Sequence, residues 1–147
     1  PCIDTSGNFH VITDIFDLHD YEQDPKVFKE HFDMLMTEGK LYVNHERRQK
    51  YPGGPTFISE YGGIRWSVNE NEQNAWGNAP KNKYEFIERY KGLTDALLDN
   101  DRMFGFCYTQ LYDVEQEQNG LYTYSRKPKF ETSIFRAINS RKAKIEL

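Results

Sequence analysis

The chain has 147 residues, 29% of them charged, and a formal net charge of −4 at neutral pH. That balance argues against a nucleic-acid surface, since no run of lysine and arginine interleaves with aromatics, and no apolar stretch nears the length of a membrane span. One domain with a real core fits this length, whereas a complete (β/α)8 barrel of roughly 250 residues does not.

Residues 1–4, PCID, read as the end of a strand, and Val11 to Leu18 as a second strand that closes on His19, Asp20 and Tyr21. Asp24 followed by Pro25 is a helix start: an acceptor for the first free N–H groups, then a residue with no N–H to leave unpaired. Val27, Phe28, His31, Phe32, Leu35 and Met36 recur on one face of that helix, and Gly39 ends it. A polar loop with Arg47, Arg48 and Lys50 leads through Pro52 and Pro55 into the segment Thr56 to Arg65, TFISEYGGIR.

The strand Thr56 to Ser59 is short, apolar and uncharged, as expected of a strand covered on both faces, and two glycines turn the chain off the sheet just after it. Glu60 then sits at the carboxyl end of a parallel strand, where α/β sheets gather their chemistry, or else it opens a solvated loop. From Arg65 to Pro80 the sequence has no periodicity and carries Trp66 and Trp76, which are either binding residues or anchors of a lid. A helix follows from about Lys83 to Leu98, with Phe86, Ile87, Tyr90, Leu93, Ala96 and Leu97 facing inward. Met103 to Cys107 is the last strand, turning polar at Tyr108, Thr109 and Gln110. Asp113, Glu115 and Glu117 read as a solvated face or a set of cap contacts. A closing helix starts near Lys129 and sends Ile134, Phe135 and Ile138 inward, and Arg141 to Lys144 read as its solvated end. Alternating strands and helices predict a parallel sheet with crossover helices, four strands in all.

Cys2 and Cys107 lack CxxC spacing and read as free buried thiols. His10, His19, His31 and His45 show no metal-ligand spacing, and no P-loop, GxGxxG or GxSxG is present, so no metal or cofactor is called for. Aromatic residues make up 15% of the chain against 37% hydrophobic overall, a composition suited to a cleft lined by rings and polar groups. Sugars ask for that combination, because their C–H faces pack on rings while their hydroxyls need amides and carboxylates.

Three segments together resemble family 2 glycoside hydrolases, the group of β-galactosidases and β-glucuronidases. They are Pro55 with Ser59, Glu60, Tyr61 and Gly62; Gly105 to Leu121; and Val11 to Pro25. The resemblance implies a piece of an α/β fold, the carboxyl-terminal half of a (β/α)8 TIM barrel covering about strands five to eight, with residues 1–147 as one domain. It implies a retaining glycosidase with Glu60 as nucleophile, Tyr21 donating a hydroxyl to it, and His19 or Asp20 bonding sugar hydroxyls. His19, Asp20 and Tyr21 could equally form a capping turn ahead of the helix. Trp66, Tyr108 and Gln110 would complete the sugar pocket, Tyr108 as its aromatic floor, although better-known members carry Trp with Asn or Asp where Tyr108 and Gln110 stand. The family's acid/base glutamate follows an asparagine at a strand end. Asn69-Glu70 and Asn71-Glu72 fall in a loop instead, so that residue is expected outside this chain. The expected partners are a carbohydrate substrate, the missing half of the barrel and, through open sheet edges, other copies of the chain; neither nucleic acid nor membrane is expected. A carbohydrate-binding half-barrel without hydrolysis is the alternative. Localisation, cytoplasmic or secreted, is left open.

Overall fold

In the computed structural model, which describes residues 1–43, 46–69 and 78–147, three strands and three helices follow one another along the chain. They are β1 (Phe16–Asp20), α1 (Pro25–Glu38), β2 (Thr56–Gly62), α2 (Lys83–Leu98), β3 (Met103–Thr109) and α3 (Thr132–Asn139), with a short 3₁₀ turn at Lys144–Glu146. The strands form one parallel sheet in the order β1-β2-β3. Each successive strand adds to the same edge through a helical crossover.

The helices start and stop where their local chemistry requires. The Asp24 carboxylate accepts the N–H groups of Lys26 at 2.8 Å and Val27 at 3.4 Å, with Pro25 opening α1. Gly39, at φ +65°, closes it in the left-handed conformation and returns its N–H to the chain. Asn82 caps α2 by accepting the Glu85 N–H at 2.9 Å.

Both crossover helices pack on one face of the sheet. Tyr61 of β2 fixes this, since its buried ring lies 6.0 Å from Phe28 of α1 and its hydroxyl is 2.8 Å from Thr94 Oγ1 of α2. Phe16, Leu18 and Ile58 join it from the sheet, Phe28, Phe32 and Leu35 from α1, and Phe86, Tyr90, Leu93 and Leu97 from α2. These apolar faces are the ones that helical and strand periodicity selects. Burying each large side chain contributes about 1.5–3 kcal/mol, so this layer holds the sheet to its helices.

The opposite face of the sheet carries the polar residues. Alternation would place Ser59 and Glu60 on different faces, yet both stand on this one, because β2 contains a bulge. Between the pairs Leu18–Ile58 and His19–Glu60, and again between Ile58–Phe106 and Tyr61–Tyr108, β2 holds one residue more than its neighbours. The extra residue lets Ser59 and Glu60 share a face while Tyr61 returns to the core.

Several expectations are corrected. Residues 1–4 form no strand, and β1 begins at Phe16 rather than Val11. Val11 and Ile12 are 88% and 83% exposed, because the Asp4 carboxylate captures both of their N–H groups and holds them in a loop. The described sheet therefore has three strands, not four. Cys2 and Cys107 are free thiols as read but exposed, Cys107 standing on the outermost strand. The closing helix starts at Thr132, while Lys129 is a buried cation paired with Asp113, which is itself buried and no part of a solvated face. Ile134, Phe135 and Ile138 do turn inward.

Candidate active site

Glu60 stands at the carboxyl end of the central strand, half-exposed, on the polar face set by the bulge. Its neighbours come from the ends of β1 and β3. Tyr21, just past β1, donates its hydroxyl to Glu60 Oε2, and His19 Nδ1 lies 3.4 Å from the same oxygen. Burial first, and then the hydrogen bond and charge of Glu60, push the Tyr21 phenol up to about 12. It therefore keeps its proton at neutral pH and serves as a donor, a role that favours the ionised carboxylate. His19 is steadied from its other side, Nε2 lying 3.1 Å from Ser6 Oγ.

The two glycines after the strand make this contact sterically available. Gly63 has φ +58°, and a Cβ there would stand 3.0 Å from the Tyr21 ring. At Gly62, φ is +84° and a Cβ would meet the Tyr108 ring at 2.3 Å. Any other residue at Gly62 would combine backbone strain with a clash. The Gly62 carbonyl accepts from Gln23 Nε2 at 2.5 Å and the Gly63 N–H donates to the Thr109 carbonyl at 2.8 Å, so the turn is tied to both flanking loops.

Gln110 reaches the rim from the end of β3. Its side-chain amide donates to Asn119 Oδ1 at 2.8 Å and Glu117 Oε2 at 3.3 Å. Gly63 ties this row to Tyr21, since a Cβ there would stand 3.0 Å from the Tyr21 ring and 3.8 Å from Asn119 Nδ2. Glu117 and Asn119 were not singled out as site residues from the sequence. Their signal is weak there, because only the fold of the 110–129 loop returns them to the strand end.

The remaining expected residues stand elsewhere. Asp20 is buried and engaged away from Glu60: its carboxylate lies 2.7 Å from His31 Nδ1 of α1 and accepts the Glu22 N–H at 2.9 Å. Strand alternation explains this, since Asp20 follows His19 and must point to the helix side. Tyr108 packs its ring 5.6 Å from Tyr61 and 4.8 Å from Tyr90, within the layer between sheet and helices, and its hydroxyl donates to the Asn119 carbonyl at 3.3 Å. It is thus not an open floor; it supports the residue that holds Gln110. Trp66 packs against Phe86 and Phe130 at 6.3 and 5.9 Å, an anchor of its loop. Glu70, Asn71, Glu72 and Trp76 lie outside the described residues. Among the described residues no group of three His, Cys, Asp or Glu side chains is arranged to hold a metal ion.

The geometry offers one partly exposed carboxylate, steadied on one oxygen by a phenol and an imidazole, with an amide and carboxylate row beside it. It can attack an electrophilic carbon and bond hydroxyl groups.

No protein-family model matches the chain, and no curated protein matches it in sequence. Its fold is similar to solved bacterial β-glucuronidases. That of Faecalibacterium prausnitzii matches with a TM-score of 0.57 at 16% identity, over 88% of this chain and 22% of that one. The Bifidobacterium dentium enzyme, complexed with coumarin-3-O-glucuronide, gives 0.56 at 15% identity, over 84% and 20%. The Bacteroides uniformis enzyme gives 0.55 at 17% identity, over 80% and 14%. The chain thus spans about a fifth or less of the length of these structures, and what it shares with them is the fold of an α/β portion of a glycosidase.

Proposed function

We propose that this chain is the nucleophile-bearing portion of a retaining β-glycosidase of the family 2 type, residues 1–147 forming the carboxyl-terminal part of its catalytic barrel and β1 to β3 three consecutive barrel strands. The observation that carries the reading is Glu60 at the end of the central strand, turned to the polar face by the bulge and held by the Tyr21 hydroxyl beside His19. Glu60 attacks the anomeric carbon of a terminal β-linked sugar as the glycosidic bond breaks, and a carboxylic acid outside this chain protonates the departing oxygen. Water, deprotonated by that same group, then displaces Glu60 and restores it, so configuration is retained. Gln110, Asn119 and Glu117 bond sugar hydroxyls at the rim.

A 2-deoxy-2-fluoroglycosyl fluoride tests this in the complete enzyme, with galactosyl and glucuronyl donors tried in parallel. The label is expected on the peptide carrying Glu60, read by mass spectrometry; a label on another carboxylate would falsify the assignment.

The same reading sets an expectation for the 147-residue chain alone. The outer edge of β3, and that of β1 beyond the Asp17 N–H and C=O that face His10, is open to pairing with other copies. The missing general acid removes a further factor of roughly 10²–10⁴ in rate. Light scattering should report self-association at micromolar concentration, and nitrophenyl glycosides should go uncleaved. A monodisperse chain turning over at ordinary glycosidase rates would sink the half-barrel reading.

A further inference from the structure

One pleat below Glu60, on the same face of the sheet, runs a second set of polar contacts that the chemistry above does not use. The loop before β1 folds back so that one Asp4 oxygen accepts the N–H groups of Val11 at 2.6 Å and Ile12 at 2.8 Å, while the other lies 2.6 Å from His10 Nδ1. The far side of the imidazole faces β1. Its Nε2 is 2.9 Å from the Asp17 carbonyl oxygen, 3.1 Å from Asp17 Oδ1 and 3.2 Å from the Asp17 amide nitrogen. The His10 side chain is 6% exposed and that of Asp17 is wholly buried. The second Asp17 oxygen accepts the Gly7 N–H at 2.8 Å and the Ser59 hydroxyl. Ser59 and Glu60 are the two residues of the bulge in β2.

Nε2 thus has both a donor and acceptors of the same residue within reach, and the protonation of the ring decides which it uses. A neutral ring with its hydrogen on Nδ1 donates to Asp4 and accepts the Asp17 N–H. A charged ring donates from both nitrogens, and the Nε2 hydrogen then serves the Asp17 carbonyl or Oδ1. Oδ1 is the deciding atom, because it is buried and, among the described residues, has no hydrogen-bond donor apart from this ion-pair contact. A buried carboxylate without its counter-charge is among the costliest defects a fold can carry.

We infer that charged His10 is the counter-ion of buried Asp17 and, through Asp17 and Ser59, a positioning residue for the nucleophile. This rests on the reading of Glu60 as nucleophile. Asp17 holds the Ser59 hydroxyl, and Ser59 fixes the half of the bulge from which Glu60 projects.

The electrostatics agree in direction. Burial works against charge on His10, but its contacts with Asp17 and Asp4, together with their charges, outweigh burial and raise the imidazole above its ordinary range. The His10 contact and the Val11 N–H in turn hold Asp4 down at about 2. Around the ring, Asp4 comes from the loop, and Asp17 and the Phe16 ring at 4.6 Å from β1, while Gln49 from the loop before β2 accepts the His10 backbone N–H at 3.3 Å. Lys50 lines the same recess, and Arg48 lies over the neighbouring Phe9 ring. A raised folded value means that the contribution is fully present below the unfolded imidazole value of about 6.5 and is lost as pH rises through the folded one. The aim of Glu60 should therefore loosen on the alkaline side.

The test measures kcat and KM of the complete enzyme against pH, with a nitrophenyl glycoside, for the wild type, His10→Gln and Ser59→Ala. His10→Gln keeps a neutral donor toward Asp17, and Ser59→Ala cuts the link while leaving the ion pair. In the wild type, kcat should fall about tenfold or more with the His10 titration at nearly constant KM, and both variants should lower kcat about tenfold below that pH and lose the step. The His10 titration is read separately from its imidazole carbon resonance by nuclear magnetic resonance, assigned through the His10→Gln difference. Should His10→Gln fail to fold, Asp17→Asn replaces it and is expected to bring the His10 titration down. A variant that keeps the wild-type alkaline limb overturns the inference, as does a His10 titration at or below the ordinary imidazole value. If the fluorosugar misses Glu60, the nucleophile reading has failed; if it labels Glu60 while the limb persists, this inference alone has failed.

Discussion

Glu60→Gln in the complete enzyme is expected to lower turnover on the order of 10⁴-fold or more, the scale at which removal of a covalent nucleophile is felt. The substitution is nearly isosteric, and the side chain is partly exposed with its contacts on the polar face, so the fold should be retained. The amide can still accept from Tyr21 but cannot attack the anomeric carbon. The loss should fall on kcat and kcat/KM together, with the thermal midpoint almost unmoved. Retention of even a tenth of the wild-type turnover would mean that the carboxylate doing the chemistry lies elsewhere.

Lys129→Ala is expected to be the most destabilising single change to a charged residue. The ammonium is wholly buried, donates to the Trp66 carbonyl and to Asp113 Oδ1 at 2.6 Å each, and lies 3.5 Å from the Gln118 carbonyl. Burial lowers its proton affinity, and Asp113 works against that. Removing one partner of such a pair leaves the other charge uncompensated and costs about 3–5 kcal/mol, seen as a lower denaturation midpoint. The cost should also reach the rim, since Gln118 sits between Glu117 and Asn119, which hold Gln110. Replacing both partners, Lys129→Met with Asp113→Leu, should recover part of the stability, because no charge is then stranded. A Lys129→Ala chain within 1 kcal/mol of wild type, on the scale where such pairs cost several, would show that the pair is not holding the two loops together.

The first two helices and the two later strands were legible because their signals are local. Asp24-Pro25 and Gly39 bound α1, and the periodicity of Phe86, Tyr90, Leu93 and Leu97 delimits α2. What misled was apolar sequence without burial. Val11 and Ile12 look like strand residues, but Asp4, seven and eight positions away, takes their N–H groups and no ladder forms. Lys129 and Asp113 misled in the reverse sense, because a charge counts as solvated until its partner, 16 residues off, folds onto it. Within the site, Glu60, Tyr21 and His19 come together as their strand-end positions suggested. Asp20, Tyr108 and Trp66 separate from them, since facing along a strand and packing of a loop depend on the sheet as assembled. The contribution of Glu117 and Asn119 depends on a loop returning to its own strand, which no short window of sequence records.

Because both neighbouring strands skip the same position, the extra residue in β2 is supernumerary: Ser59 and Glu60 occupy a single rung of the ladder. Removing one of them would leave the rungs on either side, Leu18–Ile58–Phe106 and Tyr61–Tyr108, in phase, with Tyr61 still inward and Ile58 still packed. The sheet can therefore carry a reactive group and its tether at one height without any concession from the hydrophobic side. The chemical face and the structural face of the strand are free to vary as separate texts written on one backbone.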